Sequence, residues 1–413
     1  MSASPDEPLR VLMVAPYVPS PIRVRPFQFL RTLAARGHAL TLICPVHGSA
    51  DAEALAALRP FCTTIPVAVG RTATLQNYLR ALPSALPLQA AHSLSPALVG
   101  AVRTALVGGT YTVVHIEHLR AAEVAWAATR DLAAPPPLVL DAVDSISLLF
   151  ERTLRKNPAL RPRVLALLDL ARTKRYEAAY GRRFAHITLT SAEDRWALTT
   201  LRTLFGEPPG TPITVVPNGV DMAYFQPTGA EREPATVIFA GKLSYHANEA
   251  AAFFLLRTVM PLVWRTHPTV RVVIAGANPS QRLKAHARDQ RVTVTGYVPD
   301  LRPYLARASL AIAPLRYGVG VQNKVLEAMA MGTPVLAARQ ATVALAARPG
   351  SELLVADEAP DFAEAILALL ASPARSAALG QAGRTYVERH HNWATSAALL
   401  EQCYRAAGAG RRK

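Results

Sequence analysis

The sequence predicts an α/β protein made of two doubly wound parallel-sheet units. Three observations predict it. Short apolar, β-branched runs alternate with helical patterns along nearly the whole chain. The series breaks once, at 206–212 (GEPPGTP), the most linker-like stretch present. The chain has 413 residues, enough for two or three domains at roughly 150 residues each. With 51% hydrophobic and 18% charged residues, it can bury large cores, which excludes a disordered or fibrous protein.

Residues 10–16 (RVLMVAP) read as a strand buried on both faces. A Pro-rich loop follows, then a helical pattern over 27–36 that Gly37 and His38 end, then a strand at 39–44 (ALTLIC). Strand, helix and strand at this spacing form a βαβ unit, hence a parallel sheet. Further strands are predicted at 61–67, 112–116, 138–140 and 186–190, with a helix over 164–180. A second series is predicted to start with strands at 213–216 and 236–240 and a helix at 247–265. Strands at 270–275, 292–295 and 310–313, a helix at 323–331 and a strand at 334–337 continue it. Helices at 360–370, 373–390 and 395–407 close the chain. In doubly wound sheets, ligands bind at the carboxyl ends of strands where strand order reverses, so two facing units would hold a substrate in a cleft between them.

The formal net charge is +16, and nearly all the cationic excess is arginine. The only lysines are Lys156, Lys174, Lys242, Lys284, Lys324 and Lys413. Such a balance suits anionic partners such as nucleic acid, a phosphate-bearing ligand or an anionic membrane; a compositional bias toward Ala, Arg and Pro explains it equally well. Cys44, Cys62 and Cys403 lack metal-ligand spacing and are odd in number, which argues against a disulfide framework or structural zinc and for a reducing compartment. The start of the chain carries Asp6 and Glu7 and lacks a basic-then-apolar leader pattern. No uninterrupted apolar run reaches membrane-spanning length. The expectation is a cytoplasmic protein, free or at the inner face of the membrane.

Chemistry concentrates in 317–334 (YGVGVQNKVLEAMAMGTP). Gly318 and Gly320 permit close backbone approach just before a helix starts near Asn323, and a glycine loop entering a helix N-terminus makes an anion site. Lys324 in the first turn can add a point charge, and Glu327 one turn on can accept from a pair of adjacent hydroxyls. A plain loop with a first-turn Glu is the alternative. In 239–248 (FAGKLSYHAN), Gly241 and Lys242 stand at a strand end before a helix. In 215–221 (VVPNGVD), Asn218-Gly219 is a turn signal of structural or functional kind.

Together PNGVD, FAGKLSYHAN and GVGVQNKVLEAMAMGTPV resemble the C-terminal half of a GT-B glycosyltransferase of family 4, in the variant found in exopolysaccharide and exosortase-type gene clusters. The opening VLMVAPYVPSPIRVRPFQFLRTLAARGHALTLICP is similar to the family's N-terminal half. The resemblance implies an acceptor-binding domain at 1–208, a donor-binding domain at 209–390, and a terminal helix at 391–413 that packs back on the first. It implies a nucleotide-diphosphate sugar as co-substrate, no further cofactor, no bound metal and retention of anomeric configuration. Glu327 would bind the donor ribose, and Lys242 would contact the diphosphate and assist catalysis. The amides near Gly241, Gly318, Gly320 and Val321 would cradle the phosphates, with Lys324 as second cation and Asn218 beside the donor. The acceptor would be a glycan or a lipid-linked glycan, with no nucleic-acid partner.

Two departures stand out. Val319 occupies the place of a glutamate that usually contacts the donor sugar, and Asn248 or a neighbour that of a second basic residue, a loss Lys324 could offset. On the acceptor side the family's glycine pair is replaced by PIRVRP, whose Arg23 and Arg25 could meet a diphosphate or an anionic acceptor. The strand end VVHIEHLR offers His118, with Glu117 as rival, to assist acceptor deprotonation by a histidine of near-neutral pKa. Asp141 and Asp144 could orient a basic group, bind acceptor hydroxyls or act as helix caps. Ser191 with Asp194 reads as a helix cap. The basic run 152–183 is either a peripheral membrane face or a solvated helix face. Two other functions compete: a nucleotide-sugar 2-epimerase of the same fold, and a nucleic-acid-binding protein suggested by charge alone.

Overall fold

The computed structural model describes residues 7–409 apart from Ile22, Arg71, Pro158, Pro209 and Val319. The readings that rest on Asp6 and on Val319 lie outside the described residues. The chain divides into two compact units. The first holds Met1–Leu148, Leu167–Val216 and Trp393–Lys413; the second holds Leu149–Ala166 and Pro217–Asn392.

The first unit carries a seven-stranded sheet among the described residues. Its strands are β1 (Arg10–Val14), β2 (Ala39–Val46), β3 (Thr63–Ala68), β4 (Val113–Glu117), β5 (Leu138–Val143), β6 (His186–Leu189) and β7 (Ile213–Val215). All pair in parallel, in the order β3-β2-β1-β4-β5-β6-β7. The order reverses between β1 and β4, so their carboxyl ends frame the crevice of this sheet. β1 is buried through nearly its whole length as an apolar run, and β4 is buried throughout although it carries His115 and Glu117. The last helix, Trp393–Ala409, closes this core: Trp393 packs edge-on against Phe29 with centroids 5.4 Å apart, and Cys403, Tyr404 and Ala407 are buried with β1 and β2. Glu401 on the same helix takes a two-pronged hydrogen bond from Arg36 at 2.7 and 2.9 Å.

The second unit carries six strands among the described residues: β8 (Glu233–Ala240), β9 (Arg271–Ala275), β10 (Val292–Gly296), β11 (Ala308–Ala313), β12 (Val335–Ala337) and β13 (Leu354–Val355). The order is β10-β9-β8-β11-β12-β13, again parallel, with the reversal between β8 and β11. The sequence-predicted single helix after β8 is interrupted. His246–Phe254 and Met260–Thr266 are joined by one wide turn, Leu255–Val259. Pro261 explains it: its ring cannot donate and would meet the carbonyl four residues earlier, and a wide turn relieves both problems.

One expected element belongs elsewhere. The strand at 213–216 was expected to open the second series, yet β7 pairs with β6 as an edge of the first sheet. The break at 206–212 thus falls within the first unit, and after its excursion at Leu149–Ala166 the chain passes to the second unit again only after Val216. A three-residue edge strand carries too little pattern to reveal its sheet. Cys44, Cys62 and Cys403 are free thiols. Among the described residues, no single helix is long and apolar enough to cross a membrane.

Candidate functional site

In the second unit the polar groups gather at the carboxyl ends of β8 and β11. β8 runs into Gly241, whose N–H donates to Ala275 O at 2.9 Å. A Cβ on Gly276 would lie 1.8 Å from the Gly241 oxygen, so only glycine lets the turns after β8 and β9 touch. Gly241 is equally confined: a Cβ there would stand 2.9 Å from Asn248 Nδ2 and 3.0 Å from Lys324 Cε. These distances bring Lys324 beside Gly241 and Asn248, both far from it in sequence. Lys242 is exposed, and its carbonyl receives Asn248 Nδ2 at 2.9 Å. Asn248 is buried, and its Oδ1 has no hydrogen-bond partner among the described residues.

Helix Asn323–Ala330 starts where the motif predicts. Its first-turn Lys324 donates to Gln322 Oε1 at 3.0 Å. Burial lowers the Lys324 ammonium to about 8, although Glu327 one turn on favours its charge. Burial likewise raises Glu327 to about 7 against the pull of Lys324. Lys324 sits at the dipole-positive start of the helix, and for both groups burial outweighs the charge of the other. The preceding loop is held from behind: Gly318 O accepts from Arg152 Nη1 at 2.7 Å, and Gly320 takes a positive φ of 67°. Val321 is buried beside this loop. Tyr317 stacks on His246, with centroids 5.4 Å apart and 13° between planes, and its hydroxyl meets His246 Nδ1 at 2.8 Å. Asn218 donates to Asn323 Oδ1 at 3.1 Å, and its carbonyl meets His391 Nδ1 at 2.8 Å, so the PNG turn braces the helix start.

The first unit treats its strand ends differently. Arg25 is not available to a diphosphate as expected: it is buried and locked. Its Nε and Nη2 reach the two Asp141 oxygens at 2.7 and 2.9 Å, and its Nη1 reaches Val216 O at 3.0 Å. Thr188 donates to Asp141 Oδ1 at 2.8 Å. Burial alone would raise Asp141, but the Arg25 guanidinium outweighs it and holds the carboxyl below its usual range. Arg23 remains exposed, over the Tyr17 ring at 4.5 Å.

The oriented histidine–carboxylate pair is also not the expected one. His115 and Glu117 share a face of β4, and His115 Nε2 meets Glu117 Oε2 at 3.4 Å. His115 Nδ1 receives the Tyr404 hydroxyl at 2.8 Å, and Tyr17 donates to Glu117 Oε1 at 3.4 Å. Burial raises Glu117, opposed by the His115 hydrogen bond. His118 lacks the near-neutral pKa expected of it. Burial lowers it to about 3, and Arg120 and His92 add to the effect. The Arg120 N–H donates to its Nδ1 at 3.2 Å, which leaves the proton of the neutral ring on Nε2. The neutral His118 ring thus has Nε2–H to donate.

Strain marks the same strand ends. His118 has φ 64° and Val143 has φ 68°, and a β-branched residue there is a genuine outlier, costing roughly 1–3 kcal/mol. The Asp144 N–H closes a tight turn on Ala142 O at 2.8 Å, and Asp144 itself takes Thr190 Oγ1 at 3.0 Å. Burial and the neighbouring Asp194 raise Asp144 to about 7. Asp144 is not the cap of the next helix: Glu177 accepts Ile146 N at 2.7 Å and Ser147 N at 3.4 Å. Ser191 accepts from Asp194 N at 3.1 Å, a cap as expected. His115, Glu117 and Asp141 bring ligand-type atoms within 4.8 Å of one another, but the Arg25 guanidinium already compensates that cluster.

The run 152–183 does not act as one surface. Arg152 holds the Gly318 loop, Arg182 pairs with Glu207 at 2.7 Å, and Arg183 pairs with Glu123 over Trp126 and Tyr176. Sequence reasoning also missed Gly276, Tyr404 and Tyr317. Only a glycine just past a strand could have hinted at Gly276, and nothing local marks the two tyrosines.

Two doubly wound parallel units in one chain, each with polar groups at its switch point, define the GT-B class of glycosyltransferase fold. Residues 24–224 match Glycosyltransferase Family 4, and residues 234–372 match Glycosyl transferases group 1. A phosphatidyl-myo-inositol mannosyltransferase of Mycobacterium leprae is 24% identical over 96% of this chain and 96% of its own. Among solved structures, a sucrose-phosphate synthase of Thermosynechococcus elongatus superposes with a TM-score of 0.73 at 17% identity, covering 97% of this chain and 100% of that one. Anabaena HepE, determined in complex with UDP, gives a TM-score of 0.68 at 13% identity over 95% and 99% of the two chains. The chain belongs to glycosyltransferase family 4, and the enzyme is a glycosyltransferase.

Proposed function

We propose that the enzyme transfers a sugar, with retention and without a metal, from a nucleotide-diphosphate sugar to a glycan or lipid-linked acceptor in polysaccharide or glycolipid synthesis. The observation that carries this reading is the constellation after β8 and β11. A lysine and a glutamate with shifted pKa values stand beside a glycine-lined turn at a helix N-terminus. A diphosphate would restore full charge to Lys324 and take the exposed Lys242 as a second cation. Glu327 would accept from the ribose diol, and the loop amides after Gly318 would cradle the phosphates. Asn248 Oδ1 is a free acceptor for a donor hydroxyl. The UDP complex of Anabaena HepE and the mannosyl transfer named for the Mycobacterium leprae relative agree with a nucleotide-sugar donor and a lipid-borne acceptor.

In the reaction the bond from the anomeric carbon to the diphosphate breaks, and the acceptor oxygen bonds to that carbon from the same face. Helix dipole and lysines stabilise the leaving charge, so catalysis rests on positioning and electrostatics. On the acceptor side His118 Nε2–H donates a hydrogen bond to the acceptor, whose proton goes to the departing diphosphate oxygen.

Thermal shift with UDP-, GDP-, ADP- and TDP-sugars tests donor binding, since a ligand of the folded state raises the melting temperature. One donor series should raise it, and Glu327→Ala should abolish the rise. No shift with any of them, or an unaltered shift in Glu327→Ala, overturns the donor site. The anomeric configuration of the product, read by NMR, tests retention.

A further inference from the structure

Between β5 and β6 the chain leaves the first unit, and Leu149–Ala166 folds with the second. Helix Ile146–Lys156 carries Arg152, and Asn157 follows it. Neither residue lies in the stretch 209–390 that the sequence assigns to the donor. Both nevertheless meet the polar groups after β8 and β11.

Arg152 acts on the glycine loop. Its Nη1 donates to Gly318 O at 2.7 Å, a charge-assisted bond. A loop rich in glycine has wide backbone freedom and must be ordered before it can cradle a ligand; a carbonyl anchored beforehand removes part of that cost. A trans peptide points its N–H away from its carbonyl. The guanidinium that anchors the oxygen therefore orients and polarises the whole peptide unit.

Asn157 acts on His246, the first residue of helix His246–Phe254. Asn157 is buried, and its Oδ1 accepts from the Ala159 N–H at 2.9 Å. That bond identifies the oxygen, so the group facing His246 Nδ1 at 3.3 Å is the amide nitrogen, a donor. Nδ1 is then the acceptor of the ring, and the Tyr317 hydroxyl at 2.8 Å donates to it as well. Burial holds His246 below its ordinary pKa, so the ring is neutral and its proton sits on Nε2. Nε2 has no hydrogen-bond partner among the described residues. Stacking on Tyr317 at 13° sets the ring plane. One tautomer, one ring plane and one unused N–H make a preorganised donor toward a ligand oxygen. His246 stands four positions after Lys242, and its stacking partner adjoins Gly318, so the oxygens within its surroundings are those of the diphosphate.

We propose that Arg152 and Asn157 are positioning residues for the nucleotide-diphosphate donor. Arg152 sets the glycine loop through the Gly318 carbonyl, and Asn157 with Tyr317 presents His246 Nε2–H to a diphosphate oxygen. This rests on the donor reading given above, and the experiment separates the two.

The full chain, carrying isotope-labelled histidine, is titrated with UDP, GDP, ADP and TDP and with their nucleosides. NMR reads the imidazole nitrogens, and calorimetry reads the dissociation constants. His246→Phe keeps the stack and identifies the His246 signals by their loss. In the unliganded chain Nδ1 should resonate as an unprotonated nitrogen and Nε2 as a protonated one. Nε2 should shift on saturation with the diphosphate that binds, and not with its nucleoside. Arg152→Gln and His246→Phe should each weaken diphosphate binding about ten-fold, and Arg152→Lys should restore part of it. Asn157→Leu/Tyr317→Phe should let both tautomers of His246 coexist. A merely structural role would lower stability without moving the Nε2 signal on ligand addition. Unaltered binding by Arg152→Gln and His246→Phe overturns the proposal and leaves the donor site standing. So does an unprotonated Nε2 in the unliganded chain, or an Nε2 signal unmoved by bound diphosphate. A wild type that binds none of the four diphosphates overturns the donor reading, and this proposal falls with it.

Discussion

The two units share an architecture and differ in how they treat the polar groups at their switch points. In the first, Arg25, Asp141 and Thr188 form one hydrogen-bonded group, and Tyr17, Glu117, His115 and Tyr404 form another. In the second, Lys324 and Glu327 are shifted toward neutrality by burial, and Asn248 keeps an acceptor without a partner among the described residues. A network closed on itself specifies structure, whereas unsatisfied groups await a ligand. Two half-buried or buried cations, Arg25 and Lys324, therefore hold opposite positions. One is compensated by a carboxylate of the chain, and the other is the cation proposed above to meet the substrate.

That contrast breaks most visibly on removing each cation. Arg25→Ala leaves Asp141 buried without its partner and should destabilise the first unit by about 3–5 kcal/mol, read from urea unfolding. A change under about 1 kcal/mol would show that the pair is not the lock described. Lys324→Met removes a desolvated amine. It should leave thermal stability unchanged or raised while lowering transfer about 10²–10³-fold, read from initial rates with saturating acceptor. A large fall in stability with normal turnover would reverse the assignments. Tyr404→Phe deprives His115 Nδ1 of its donor deep in the first unit, and about 1–3 kcal/mol of stability should go with it.

The smallest effect is a pH signature. Glu327 has a folded value of about 7, above its ordinary 4.5, so the folded chain holds a proton that the unfolded chain has released in that window. Stability from this group is then highest below 4.5 and falls as pH rises toward 7. Glu327→Gln should match the wild type near pH 4.5 and become the more stable protein by about pH 7, read as the difference between their melting temperatures. Asp141 behaves with the opposite sign. Its lowered value adds stability above the ordinary 3.8, lost as pH falls through the folded value, and Asp141→Asn should close that loss. A flat difference curve for Glu327→Gln would mean that its carboxyl is solvated.

The parallel sheets were legible because strands buried on both faces leave apolar runs, as in β1 and β11, and because glycines punctuate the turns after β8 and before Asn323. The fold class, the family motif and the start of the donor helix follow from the residues alone. Period and spacing are local properties, written along the chain. Four features follow only from the tertiary structure. The edge strand β7 joined the first sheet, Arg25 closed on Asp141 116 positions away, Tyr404 reached His115 from the last helix, and leucines at helical spacing faced outward. A helical stripe records that one face differs from the other, not which of them turns inward. Whether a charge is matched or left open depends on side chains that only the folded chain brings within hydrogen-bonding distance.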